Sequence, residues 1–144
     1  ILARCPASLC GILLARSKNP SHQPASIGAR LAQTGDRFEI HMERDAARKH
    51  GFGDRIAHGL LVLSIVDGLK NQTPAQFKAR ASLGWDWTFR APVLAGDTIG
   101  GTITVHQKLE TPKEDQGVLL LDFDINNQRE ETVQQGSNKL LVYR

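Results

Sequence analysis

The chain has 144 residues, 40% of them hydrophobic, and a formal net charge of +3. Such a chain suits one globular domain with one core, being too short for two ordinary domains and too apolar for a disordered tail. Its 18 Lys and Arg residues are scattered, without the basic stripe and interleaved aromatics of a nucleic-acid binder, so no nucleic-acid partner is expected.

The opening "ILARCPASLCGILLAR" is apolar in flavour, but Arg4 and Arg16 leave an uncharged window of at most eleven residues. A spanning helix needs about 20, so no membrane partner is expected and the segment is not read as a signal or transit peptide. Cys5 and Cys10 are the only cysteines. They form neither a C-x-x-C pair nor a disulfide framework, which favours a reducing, cytoplasmic location. Residues 17 to 30, "SKNPSHQPASIGAR", are rich in Ser, Pro and Gly and read as loop. Residues 1–33 receive no element and are set apart as an atypical N-terminal segment before a domain spanning 34–144.

"ERDAARKHG", from Glu43 to Gly51, has acids early, bases late and a final glycine, which predicts a short helix. "GFGD" follows as a turn; it lacks the third glycine of a dinucleotide fingerprint. "HGLLVLSIVDGLK", from His58 to Lys70, is apolar nearly all the way round, which predicts a helix buried at the domain centre.

From Ala81 the period changes to two. "SLGWDWTFRAPV" sets Trp85, Trp87 and Phe89 on one strand face and Asp86, Thr88 and Arg90 on the other. "TIGGTITVHQKLE" alternates Ile99, Ile103 and Val105 with polar neighbours, and "GVLLLDFDINN" aligns Leu119, Leu121, Phe123 and Ile125. "GSNKLLVYR" supplies a last strand. Three or four antiparallel strands after one buried helix predict an α+β domain, a sheet wrapped around a central helix. Trp85 and Trp87 read as core or dimer-interface residues, and Asp97 as a turn former. Arg90, Lys70 and Lys78 read as solvated surface charges, with nucleotide phosphates as the alternative.

The sequence has no G-x-S-x-G elbow, H-E-x-x-H pair or P-loop. His41, His50 and His58 stand at intervals of nine and eight and share no helix face, so no metal site is expected. What carries chemistry is Asp36, His41 and the "IAHG" run from Ile56 to Gly59. A loop of this length can fold a carboxylate and an imidazole around one water, and an imidazole titrates near neutrality and can hold or pass its proton. Gly59 falls at the head of the apolar helix, where a free N–H and the helix dipole can hold the oxygen of a polarised carbonyl. A base pair, an anion-holding amide and an apolar wall point to adding water to an activated acyl group, or removing it.

These residues resemble the MaoC-like, (R)-specific enoyl-CoA hydratase family of hot-dog-fold proteins. The family signature reads G-D-x-N-P-x-H-x-[DE], followed by an Ala, a Phe and I-[AV]-H-G. Gly35, Asp36, His41 and Glu43 match its spacing, and Ala47, Phe52, Ile56, Ala57, His58 and Gly59 fall in register. "FRAPVLAGDTI" resembles the family's downstream F-x-x-P-V-x-x-G-D-T element, so the likeness runs over roughly residues 34 to 143. Phe38-Glu39 stands where the signature has Asn-Pro.

The resemblance implies a hot-dog domain, a homodimer or higher homo-oligomer, and hydration or dehydration of a trans-2-enoyl thioester carried by CoA or a carrier protein. It implies no cofactor, the CoA thioester being the substrate. It assigns water activation to Asp36 and His41 and the thioester oxygen to the Gly59 N–H. Ile56, Ala57 and His58 are placed at the substrate, and Asp67 where relatives carry a supporting polar residue. A hot-dog thioesterase and a non-catalytic acyl-thioester-binding protein are the alternatives.

Overall fold

The computed structural model describes residues 35–73 and 76–144 in full and residues 11–18 as backbone. Its elements are strand β1 (Gly11–Lys18), two short helices α1 (Glu39–Met42) and α2 (Arg44–Lys49), and helix α3 (Gly59–Lys70). Four long strands follow: β2 (Ala79–Phe89), β3 (Thr98–Glu110), β4 (Gln116–Asn126) and β5 (Thr132–Tyr143). Cys5, Cys10 and the expected loop from residue 19 to residue 30 lie outside the described residues.

The five strands form one antiparallel sheet in the order β1-β3-β4-β5-β2. Sequence analysis assigned no element before residue 34, yet Gly11–Lys18 pairs with β3 from Gly11↔Thr104 to Lys18↔Thr98. The strand escapes period-two reading because "GILLARSK" does not alternate, and its register shifts between Leu14 and Ser17.

The alternation expected in the later strands becomes the core. Ile99 and Ile103 of β3, Leu119, Leu121, Phe123 and Ile125 of β4, and Leu140 and Val142 of β5 are buried on one face of the sheet. Trp85 and Trp87 pack edge-on to each other at 5.4 Å and against Phe123 at 5.3 and 5.6 Å, as core residues. Helix α3 lays Val62, Val66 and Leu69 into this face. The sheet therefore packs around the helix in the hot-dog manner, but one chain covers only part of it. Leu60 is 68% exposed, so the all-round apolar pattern exceeds what a single chain buries. Among the described residues no helix is long and apolar enough to cross a membrane.

Short connections fix the elements around the head of α3. Gly51 (φ +87°) ends α2, a conformation that L side chains rarely adopt, as its place after the basic last turn predicts. The "AGDT" turn is tied from within: buried Asp97 accepts the Leu94 N–H at 2.8 Å through Oδ2 and the Gln128 amide at 2.7 Å through Oδ1. Leu94 in turn bridges to Ile56, the first residue of "IAHG".

Candidate active site

The stretch from Gly35 to His41 is less of a loop than expected, since Glu39–Met42 closes one helical turn that carries His41. Asp36 shapes its entry by accepting the Phe38 N–H at 3.1 Å, a side-chain-to-backbone turn typical of Asp. The Phe38-Glu39 pair is ordered in its own way. Phe38 stands edge-on to the His41 ring, with centroids 6.2 Å apart, and Glu39 bonds His50 at 2.8 Å. His50 is thus committed away from the other two histidines.

His41 is oriented by the backbone. Its Nδ1 lies 2.8 Å from the Ile56 carbonyl oxygen. A carbonyl can only accept, so Nδ1 carries the proton and Nε2 of the neutral ring is a lone-pair base. Ile56 is held in turn by its N–H bond to the Ile40 carbonyl and by the bridge to Leu94. Ala57 donates to the Val93 carbonyl at 2.8 Å. "IAHG" is therefore a strapped segment between the α1 turn and the 93–94 turn, and both ends of the site lean on it.

His58 stacks on His41, with ring centroids 3.8 Å apart and planes tilted by 28°. Its Nε2 is 3.3 Å from both the carbonyl oxygen and Oδ2 of Asp36, and since both are acceptors it donates to them. Burial, followed by the neighbouring His41, lowers the His58 pKa from its usual 6.5, and Asp36 only partly opposes this. The stack thus favours a neutral His58 beside His41. Donor atoms of Asp36, His41 and His58 all lie within 4.8 Å of one another. The chain folds His41 and His58 together despite an interval that puts them on no common helix face. Each ring donates to an oxygen acceptor, so the arrangement is a hydrogen-bonded cluster of one carboxylate and two imidazoles.

Gly59 is the first residue of α3, and no side chain caps that helix. Its N–H belongs to the first turn, whose donors have no intrahelical acceptor. A methyl group at Gly59 would lie 2.5 Å from Cε1 of Phe89, so only glycine lets the Phe89 ring close over the helix head. A cleft of roughly 330 Å³ opens there, lined by His41, Ile56, Ala57, Gly59, Phe89 and Gln134 among others.

Of the sequence-predicted residues, His41, Ile56, Ala57 and Gly59 line this cleft, while Asp36 and His58 are not among its lining residues and lie against His41. Asp67 does not reach it. Eight residues along α3 is about 12 Å, and Asp67 pairs with Lys70 at 2.6 Å. Lys70 is buried in that pair and lies 5.6 Å over the Trp85 ring, so it is not the solvated charge expected. Arg90 reaches the cleft rim, and Lys78 is exposed. Sequence reading missed Gln134 altogether. It lies among the first, turn-side residues of β5, ahead of the "GSNKLLVYR" run that was read as the strand.

The family model described as a MaoC like domain matches residues 23–120. Over 72 residues, the chain is 33% identical to the mitochondrial 3-hydroxyacyl-acyl-carrier-protein dehydratase of Arabidopsis thaliana. That match covers 50% of this chain and 42% of the relative, so the chain spans less than half of that protein. A solved monoamine oxidase regulatory protein from Archaeoglobus fulgius superposes with a TM-score of 0.82 at 29% identity, over 94% of this chain and 89% of its own. The (R)-hydratase from A. caviae involved in PHA biosynthesis gives 0.71 at 26% identity, over 94% and 98%. With His41, Phe52, Ile56, Ala57 and Gly59 of the signature lining one cleft and the family model covering most of its length, this chain belongs to the MaoC-like dehydratase family.

Proposed function

We propose that the protein is an (R)-specific hydratase and dehydratase of enoyl thioesters, working on trans-2-enoyl-CoA or the equivalent carrier-protein thioester. The observation that carries this reading is the fixed tautomer of His41: its Nδ1 donates to the Ile56 carbonyl, which leaves Nε2 as the ring's base, on a residue that lies against Asp36 and lines one cleft with Gly59. Asp36 and His41 hold one water between them. A proton leaves that water for the pair as its oxygen bonds to C3 of the thioester. The electron pair of the C2–C3 double bond moves toward the carbonyl, and the enolate oxygen is received by the Gly59 N–H. The proton is then returned to C2, so water is added across the double bond; dehydration runs the same steps backwards. The chain's own side chains and backbone supply every group, with no cofactor.

Family membership and the (R)-hydratase likeness support the reading. A homodimer in the cytoplasm completes it. β2 is an edge strand of the sheet, and Leu83 and Phe89 on it and Leu60 on α3 are exposed in the single chain. An exposed, apolar, unpaired edge of this length is normally covered by a partner.

The test is to follow loss of the enoyl absorbance of crotonyl-CoA and to determine the configuration of the 3-hydroxybutyryl product, with free thiol assayed on saturated acyl-CoAs in parallel. Hydration to the (R) product, lost in Asp36→Asn, is expected. Thiol release without hydration contradicts the reading and indicates a thioesterase; binding without either reaction indicates a non-catalytic acyl-thioester-binding protein.

A further inference from the structure

Gln134 is 2% exposed and stands on the inward face of the sheet, between Ile125 of β4 and Phe89 of β2 in the strand register. A primary amide buried there costs stability unless both of its ends are bonded. Both are. The Trp87 indole N–H donates to Gln134 Oε1 at 2.9 Å, and Gln134 Nε2 donates to the Gly59 carbonyl at 3.1 Å. The indole can only donate and the carbonyl can only accept, so the amide has one possible orientation. The ring of Phe89, the register partner of Gln134, closes on Gly59 from β2. At its far end α3 is tied to the same strand by Lys70 over Trp85, which stands edge-on to Trp87. Both ends of the helix are therefore held to one strand pair, and the polar tie lies at the end that faces the cleft.

We infer that Gln134 is a positioning residue for the thioester oxygen: it anchors Gly59 to β5, so that the Gly59 N–H meets the oxygen, and Trp87 fixes Gln134 in turn. This rests on the enoyl-thioester reading above. An oxyanion donor acts only if it is already in place when charge develops, and a displacement of about 1 Å costs about 10²-fold in rate. A helix head packed only by the Phe89 ring, which is 53% exposed, slides more easily than one bonded into a sheet.

Three measurements test it together. Gln134→Met keeps the side-chain length and removes both bonds. Its kcat with crotonyl-CoA should fall about 10- to 100-fold while KM moves by less than about 3-fold. In Gln134→Glu a protonated carboxyl both donates to Gly59 and accepts from Trp87, whereas the carboxylate can only accept. The ratio of Gln134→Glu to wild-type activity should therefore rise as pH falls, which a merely structural role would not produce. In nuclear magnetic resonance spectra of Gln134→Met, the Gly59 amide and Trp87 indole signals should both shift, a readout that needs no turnover. A hydrating wild type with Gln134→Met within about 2-fold of it in kcat overturns the inference. If the wild type does not hydrate crotonyl-CoA, the functional reading fails by itself. The inference then falls if both signals stay unmoved and stands as a tether of the helix head if both shift.

Discussion

At the scale of single residues, the site is built by backbone groups that leave side chains one option. The Ile56 carbonyl sets the His41 tautomer, and the two Asp36 acceptors set that of His58. His58 has a definite consequence for stability. Its pKa is lowered in the fold, chiefly by burial, so the unfolded chain takes up a proton first as the pH falls below the ordinary value of 6.5. The stabilisation from a neutral His58 is complete above that value and is lost as pH falls through the lower, folded pKa. Urea unfolding at about pH 7.5 and about pH 5 should show a smaller acid-induced loss of stability for His58→Gln than for wild type. An equal loss in both would mean that the stack does not hold the ring neutral. Asp36, His41 and "IAHG" were legible because their spacing carries a known signature. The stacking of His58 on His41 was not, since chain intervals say nothing about two segments joined through a turn of β3's entry and a helical turn at residue 39.

At the scale of elements, helix α3 and strand β2 share one contact that decides the site's shape, Gly59 under Phe89. Gly59→Ala places a methyl 2.5 Å from the Phe89 ring. The ring is half-exposed and can swing away, so the fold should survive while the helix head shifts. Activity on crotonyl-CoA should fall about 10²-fold, the usual cost of losing one oxyanion donor. Adding Phe89→Ala should recover part of it, and a double variant no better than Gly59→Ala would show that the contact does not set the amide. Strand faces were readable from alternation because the sheet buries one side only, which is why Ile99, Ile103, Leu121 and Ile125 fell where expected. Period-two reading could not find β1, whose partners lie some 90 residues away in β3. Lys70 was misread as solvated for a related reason. Its charge is answered by Asp67 one turn back and its stem by Trp85 from another element.

At the scale of the whole molecule, the sheet wraps a helix whose apolar circumference is wider than one chain covers, and β2 is left at the edge next to the cleft. The proposed second copy, set against the β2 edge, would cover the exposed Leu83, Phe89 and Leu60. Sedimentation equilibrium should give a dimer at micromolar concentration, and Leu83→Glu, which puts a charge on that edge, should shift it toward monomer. A wild-type monomer would leave those side chains unexplained. The fold was legible from composition and period because a helix amid alternating strands has few ways to bury its apolar surface. Asp97 was legible as a turn former, and it holds Leu94 three residues back. Gln134 was not legible, because it works through partners distant in the chain.

The whole account turns on His41 acting as the base that its tautomer makes it. The most direct test compares kcat/KM for hydration of crotonyl-CoA by the wild type and by His41→Ala, with matched circular dichroism spectra. The expected result is measurable hydration by the wild type and a loss of about 10²- to 10⁴-fold in the variant, the range for removing a general base. Wild-type levels of hydration in His41→Ala would contradict it.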